Sequence, residues 1–143
     1  MVEASFEDEY PAVGIPRMDE DHAKIAMALR QLIEAVRSDD TTAAKVLARA
    51  LIERTIEHFF LEKGLMEEIS FEFIERHRLA HQDFLTEAQR ALEELTERGL
   101  TVDCLRWTSE TMAWFRNHVR TEDLALARAL MLRYGHVAQL PKS

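Results

Sequence analysis

From Met18 to Leu140 the chain contains no proline. A proline inside a helix removes a backbone donor and clashes with the preceding turn, so its absence leaves long helices uninterrupted. The three prolines, Pro11, Pro16 and Pro141, all lie near the ends, and only four glycines occur in 143 residues. No alternating run of Val, Ile and Thr stands between turn residues, so strands are not expected. A chain this long with 47% hydrophobic residues can bury one core. The expected class is all-α, one domain over residues 1–143.

Apolar periodicity divides that domain. Residues 1–17 read as an irregular N-terminal arm, with "YPAVGIP" a loop against the body. A first helix is expected from Met18 to Arg37, with Ile25, Leu29, Leu32, Ile33 and Val36 at helical spacing. "SDDTT" breaks the chain, and Thr41 or Thr42 can cap the next helix. That helix should run from 42 to 68 through Val46, Leu47, Ala50, Leu51 and Ile56. A third is expected over 71–98, stopping at Gly99, and a fourth over 103–133, stopping at Gly135. Residues 134–143 would be a tail. Four long helices with short connections imply antiparallel neighbours, an up-down-up-down four-helix bundle over 18–133.

A formal net charge of −8 argues against nucleic acid and anionic lipid surfaces as partners. "MVEASFEDEY" is acidic and lacks an apolar stretch, so neither a secretory signal nor a membrane insertion is expected there. Cys104 is the only cysteine, which excludes an intrachain disulfide. The expected location is cytoplasmic.

Histidine carries the chemistry. Two pairs, His58 with Glu62 and His77 with His81, have a spacing of four, which returns each pair to one helix face. His58 adjoins Phe59 and Phe60, Phe84 and Leu85 follow His81, and Trp114 and Phe115 precede His118. A buried histidine without a partner loses hydration for nothing, so several in one core need a common partner. Level along the bundle makes the same point. His22, His58 with Glu62, His77 with His81, and His118 with Asp123 all fall toward one end, in a band roughly 6 to 22 Å deep.

Imidazole and carboxylate without thiolate suit iron, and such a mixed set inside a bundle suits a pair of irons. Two octahedral metals have twelve positions between them. Five histidines, two bridging carboxylates and one bridging oxo or hydroxo group fill all but one. The vacancy fits a small diatomic ligand, and the histidine-rich set favours reversible binding over oxidation of a substrate. The chain is therefore expected to bind rather than catalyse, with a redox sensor and a di-iron enzyme as the alternatives.

The ordered set His22, His58-x-x-x-Glu62, His77-x-x-x-His81 and His118-x-x-x-x-Asp123 resembles the hemerythrins, most closely the single-domain bacterial hemerythrins. "VGIPRMDEDH", "HFFLEKGLM" and "WFRNHVRTED" carry the likeness further, over about residues 10 to 132. Lys63 departs from the family, standing where a second acidic residue is common, and "SFEF" replaces the usual Tyr-Pro before the third helix. The resemblance implies two iron ions. His77, His81 and His118 would hold one, His22 and His58 the other, with Glu62 and Asp123 bridging. It also implies dioxygen as the ligand, bound at the second iron, with any protein acceptor of oxygen unidentified.

The bridge raises a conflict. A step of five from His118 to Asp123 is about 140° around a regular helix, whereas Glu122, at step four, shares the face. Regular geometry selects Glu122 and the family pattern Asp123; Asp123 requires convergence from adjacent flanks or a local wide turn.

The vacant position should be dry. Ile25, Phe59, Trp114, Phe115 and Val119 are the candidates to line a dioxygen pocket, with ordinary core packing as the alternative for each. Met66 and Cys104 read as packing, and His136 as a surface residue. Asp19, Glu57 and Glu110 could accept from the outer ring nitrogens of the histidines, but a solvated face is the preferred reading for each.

Overall fold

A computed structural model describes residues 12–135. The arm before residue 12 and the tail from His136 onward lie outside the described residues. Within them the chain forms α1 (Pro16–Arg37), α2 (Thr41–Glu68), α3 (Ile74–Arg98), α4 (Val102–His118), a five-residue π-turn (Val119–Asp123) and α5 (Leu124–Tyr134). The π-turn joins α4 to α5, so the fourth rod of the bundle is one interrupted helix. α1 packs on α2, α2 on α3, and α4 contacts both α1 and α3, closing the bundle. No strand occurs among the described residues, and none of their helices is long and apolar enough to cross a membrane.

Heptad stripes build the core. On α1, Met18, His22, Ile25, Leu29, Leu32 and Val36 are buried at alternating steps of four and three. On α2 the buried stripe is Ala44, Ala48, Leu51, Thr55, His58, Glu62 and Leu65. That repeat is the seam of nearly parallel packed helices. His22, His58 and Glu62 thus occupy ordinary core positions of their stripes. Hydropathy misled on α2, where Val46 is 60% exposed and Ile56 43%. The true stripe there uses small and polar residues, which a hydrophobic pattern underweights.

The helix ends differ from expectation by a few residues. α1 starts at Pro16, a proline in the first turn where no donor is lost. Asp19 folds back from that turn and accepts hydrogen bonds from the Val13 (2.7 Å) and Gly14 (3.2 Å) amides. Gly14 has φ +95, a backbone conformation that side-chain-bearing residues rarely adopt, so the turn leading into α1 favours glycine. Neither threonine caps α2: Asp40 does, accepting from the Ala43 amide at 3.0 Å. α3 begins at Ile74 rather than 71 because Ser70 (φ 49) turns the chain and Phe71 enters the core. Gly99 (φ 75) ends α3 as expected.

Candidate metal centre

Seven polar side chains meet inside the bundle. His22, His58, Glu62, His77, His81, His118 and Asp123 are each no more than 5% exposed. α1 contributes His22, α2 His58 and Glu62, α3 His77 and His81, and the fourth rod His118 and Asp123.

The two carboxylates sort the five imidazoles. Glu62 Oε1 lies 3.1 Å from His77 Nε2 and 3.2 Å from His81 Nε2. Its other oxygen, Oε2, lies 2.8 Å from His58 Nε2 and 3.8 Å from His22 Nε2. Asp123 divides in the same way, with Oδ1 at 3.1 Å from both His77 and His118 Nε2 and Oδ2 at 3.0 Å from His22 Nε2. Each carboxylate therefore offers one oxygen to a three-histidine group and the other to a two-histidine group. Ligand atoms of Glu62, His77, His81, His118 and Asp123 all lie within 4.8 Å of one another, as do those of His22, His58, Glu62 and Asp123.

Three observations test whether metal ions fit. Several of these atoms (His22 Nε2, His58 Nε2, Glu62 Oε2 and Asp123 Oδ1) make no hydrogen bond despite their short contacts. Buried polar atoms left in that state are costly, and a shared cation would satisfy them. The donors are all imidazole nitrogen or carboxylate oxygen, a set suited to first-row transition metals. Spacing agrees as well. With metal–ligand bonds of about 2.1 Å, neighbouring octahedral ligands stand about 3.0 Å apart and tetrahedral ones about 3.4 Å. In the three-histidine group the contacts run from 3.0 Å (His81 Nε2 to His118 Nε2) to 3.2 Å. On the two-histidine side the contacts spread from 2.8 to 3.8 Å, so the three-histidine side fits a metal ion more closely.

Electrostatics match that reading. Burial lowers the affinity of His58 for a proton, but Glu62 and Asp21 overcome it and raise the imidazole to about 10. His118 is likewise pushed down by burial and lifted, chiefly by Asp123, to about 10. His77 reaches about 9 by the same opposition of burial against Asp123 and Glu62. His81 goes the other way: burial, reinforced by the charges of His118 and His77, outweighs its contact with Glu62 and holds it low. Burial pushes both carboxyls up, yet His58 beside Glu62 and His118 beside Asp123 hold them below their ordinary range. The cluster is built around two buried negative charges that require cations.

The fourth rod settles the choice between Glu122 and Asp123. Its buried stripe runs Cys104, Thr108, Thr111, Phe115, His118, and a regular heptad would continue at 122 and 125. The π-turn inserts one residue, so the stripe resumes at Asp123, Leu126 and Leu130, each no more than 1% exposed. Asp123 enters the cluster, while Glu122 remains at its edge with Oε1 3.6 Å from His118 Nδ1.

Outside the ligands, Asp21 was missed by sequence reasoning. Its Oδ2 lies 3.0 Å from His58 Nδ1 and fixes that ring from behind. The other acidic candidates do not do this: Asp19 is engaged with the backbone of Val13 and Gly14. Glu57 only borders the pocket beside His58, and Glu110 lies in a cleft with Trp107 and Trp114. The available signal was the position of Asp21 next to His22, on the flank of α1 that faces α2.

The candidate dioxygen-pocket residues separate into two sets. Phe59 stacks on His81 (centroids 3.6 Å apart, 3° between planes) and Trp114 on His118 (4.6 Å, 10°). Both cover the three-histidine group, because side chains one position after His58 and one turn before His118 point toward α3. Phe115 meets His22 edge-on at 5.9 Å. Ile25 borders a polar pocket of about 110 Å³ with Asp21, His58, Arg17 and Arg54. Val119 is fully buried where the π-turn begins.

The sequence profile of the Hemerythrin HHE cation binding domain matches residues 13–130. The chain belongs to the hemerythrin family. A bacteriohemerythrin of Stenotrophomonas maltophilia (strain R551-3) is 28% identical over 117 residues, covering 80% of this chain and 74% of that protein. One of Pseudomonas aeruginosa (strain LESB58) is 24% identical over 117 residues, covering 82% of this chain and 75% of its own length. Among solved structures, a crystal structure of a leucine-to-phenylalanine mutant matches with a TM-score of 0.78 at 18% identity. That match covers 91% of this chain and 96% of the other, and it shows the bundle fold. As a hemerythrin-family domain, the chain carries a cation-binding site, and the buried His, Glu and Asp cluster among the described residues meets the description.

Proposed function

We propose that this hemerythrin-family domain binds two iron ions and takes up dioxygen reversibly, serving oxygen transport, storage or local delivery and not catalysis. The observation that carries the reading is the unequal division of histidines around two shared carboxylates. The three-histidine side offers three nitrogens and two oxygens; the two-histidine side offers two nitrogens and two oxygens. With one further bridging atom, the first set is complete for six-coordination and the second is one short. When bound, the metal pair supplies the two electrons that dioxygen takes on binding and returns on release.

The chain's own residues do the rest. Glu62 and Asp123, almost wholly buried, hold the two positions at a fixed separation and balance their charge. Asp21 accepts from His58 Nδ1, fixing the tautomer that leaves Nε2 free to ligate. Phe115 stands edge-on to His22 and covers that imidazole, while Ile25 is the apolar wall of the polar pocket beside His58. The neutral imidazoles donate less negative charge than carboxylates would, which supports reversible binding. The net charge of −8 and the unpaired, buried Cys104 support a cytoplasmic protein that does not bind nucleic acid.

Anaerobic reconstitution with ferrous iron tests the reading. The expected result is two irons per chain and a visible band that appears under oxygen and disappears under vacuum over repeated cycles. A single irreversible oxidation would favour a sensor or an enzyme instead.

A further inference from the structure

Between α3 and α4 lies a cavity of about 220 Å³ that the metal centre does not use. Its walls are Trp107, Trp114 and Phe84, with Phe84 stacked on Trp114 (centroids 4.7 Å apart, 24° between planes). Carboxylates line it as well, Asp83 and Glu87 from α3 and Glu110 from α4. Glu87 is engaged by Arg90 at 3.0 Å, whereas Asp83 and Glu110 have no cation paired with them among the described residues. Thr111 completes the lining and is 3% exposed. Its hydroxyl has no hydrogen-bond partner among the described residues, while Thr55, Thr86, Thr96, Thr108 and Thr121 each return theirs to a carbonyl three or four residues earlier. It is not one of the sealed polar atoms of the interior, so the oxygen is within reach from the cavity.

We infer that this cavity is a ligand site, separate from the metal centre, for a small organic ammonium: a protonated primary amine on a short aromatic stem. Size is the first condition. An apolar cavity of about 150 Å³ holds one benzene, so this one has room for a ring and a few further atoms. Charge is the second. Asp83 and Glu110 attract a cation, and Trp107, which no aromatic ring covers among the described residues, adds cation–π attraction. Thr111 sets the third, because a buried hydroxyl oxygen left unpaired is costly and accepts from an N–H. A quaternary ammonium has no N–H to give it. A metal cation would need several oxygens converging on one point, and the aromatic walls offer none. The inference does not rest on the metal reading. Trp114 nevertheless links the two sites, since the ring that lines this cavity stacks on His118 at 4.6 Å and 10°.

Trp107 and Trp114 are the chain's only tryptophans, so tryptophan emission reports on this cavity. Calorimetric titration of the iron-loaded protein with phenethylammonium, followed in parallel by that emission, tests the site, with phenethyl alcohol as the uncharged control. Iron content is measured separately, so failure of the metal reading is seen as missing iron and failure of this one as missing amine binding. Phenethylammonium should bind with a Kd of about 1 mM, and phenethyl alcohol about tenfold more weakly for want of the charge. Glu110→Gln, at an exposed position that folding does not depend on, should weaken the amine about threefold and leave the alcohol unchanged. Thr111→Val, of nearly equal volume, should weaken the amine about fivefold. Iron content should be the same in both variants. Amine binding that is absent, no tighter than that of the alcohol, indifferent to both substitutions, or displaced by an equal concentration of calcium ion overturns the proposal.

Discussion

The two halves of the metal centre share both carboxylates and little else. The three-histidine half is walled by flat aromatic stacks: Phe59 lies on His81, Trp114 on His118, and Phe84 on Trp114 at 4.7 Å. The two-histidine half has one edge-on ring, Phe115, and next to His58 a polar pocket reached through Asp21, whose side chain is 20% exposed. One half has three histidines under stacked rings. The other has fewer ligands and a neighbour in contact with solvent, which suits the half where something must enter and leave. Packing, as much as histidine count, makes the two halves unequal.

The strongest way to break the comparison is to remove what the halves share. Asp123→Ala should cut the metal content from about two ions per chain to below one, because both positions lose a ligand. Glu122→Ala should leave the stoichiometry unchanged. Metal analysis after dialysis distinguishes the two, and equal loss from both variants would defeat the assignment of Asp123.

A smaller effect should fall on one half alone. Asp21→Asn removes the acceptor that orients His58, and loss of such a partner costs about 10- to 100-fold in metal affinity. The loss should appear in only one of two resolved binding steps, measured by competition with a chelator. Weakening of both steps alike would mean that Asp21 does not act through His58.

Protons give a third handle, in the metal-free protein. His58, His118 and His77 are raised to about 10, 10 and 9 in the folded chain, above the ordinary value of about 6.5. The folded state therefore holds more protons than the unfolded state across that interval, and this stabilisation fades as pH climbs from about 7 to 10. The urea midpoint of the metal-free protein should fall over this range more steeply than that of the metal-loaded protein, whose Nε2 atoms are occupied. Parallel curves would show that the carboxylates do not lift these imidazoles.

Aromatic truncation should give the smallest effect on oxygen chemistry. Phe59→Ala should cost about 3 kcal/mol of stability, as for other buried rings, and Trp114→Ala less, since that ring is only half buried. Phe59 also approaches His58 at 6.2 Å, but Trp114 stacks on His118 while Phe115 meets His22, so Trp114→Ala should leave the autoxidation rate nearly unchanged, whereas Phe115→Ala should raise it. Faster autoxidation in the Trp114 variant alone would reverse the roles given to the two halves.

Much of this was legible in the chain. Absence of proline, four apolar runs and short connections specified the bundle, and the order of His and Glu along it brought His22, His58, Glu62, His77, His81 and His118 to one end. Each of these sits on a regular heptad stripe, so counting residues was enough. Asp123 was different. Counting placed Glu122 inside, and only the resemblance to a family pointed one residue further. The clue, visible in retrospect, is that Leu126 and Leu130 fall out of register with Cys104, Thr108, Thr111 and Phe115. Asp21 was illegible for another reason: its partner is on a different helix, 37 residues away.

The sequence by itself determined helix count, antiparallel order and the level of most ligands, because these follow from local periodicity and connection length. Tertiary structure decided which oxygen faces which histidine, which rings cover which half, and where the fourth rod takes its extra residue. Those outcomes depend on angles between helices and on one backbone irregularity that local preference does not encode. A π-turn exchanges regular hydrogen bonds for a shift of register, and it holds here where that shift carries Asp123 into the cluster and Leu126 and Leu130 into the core.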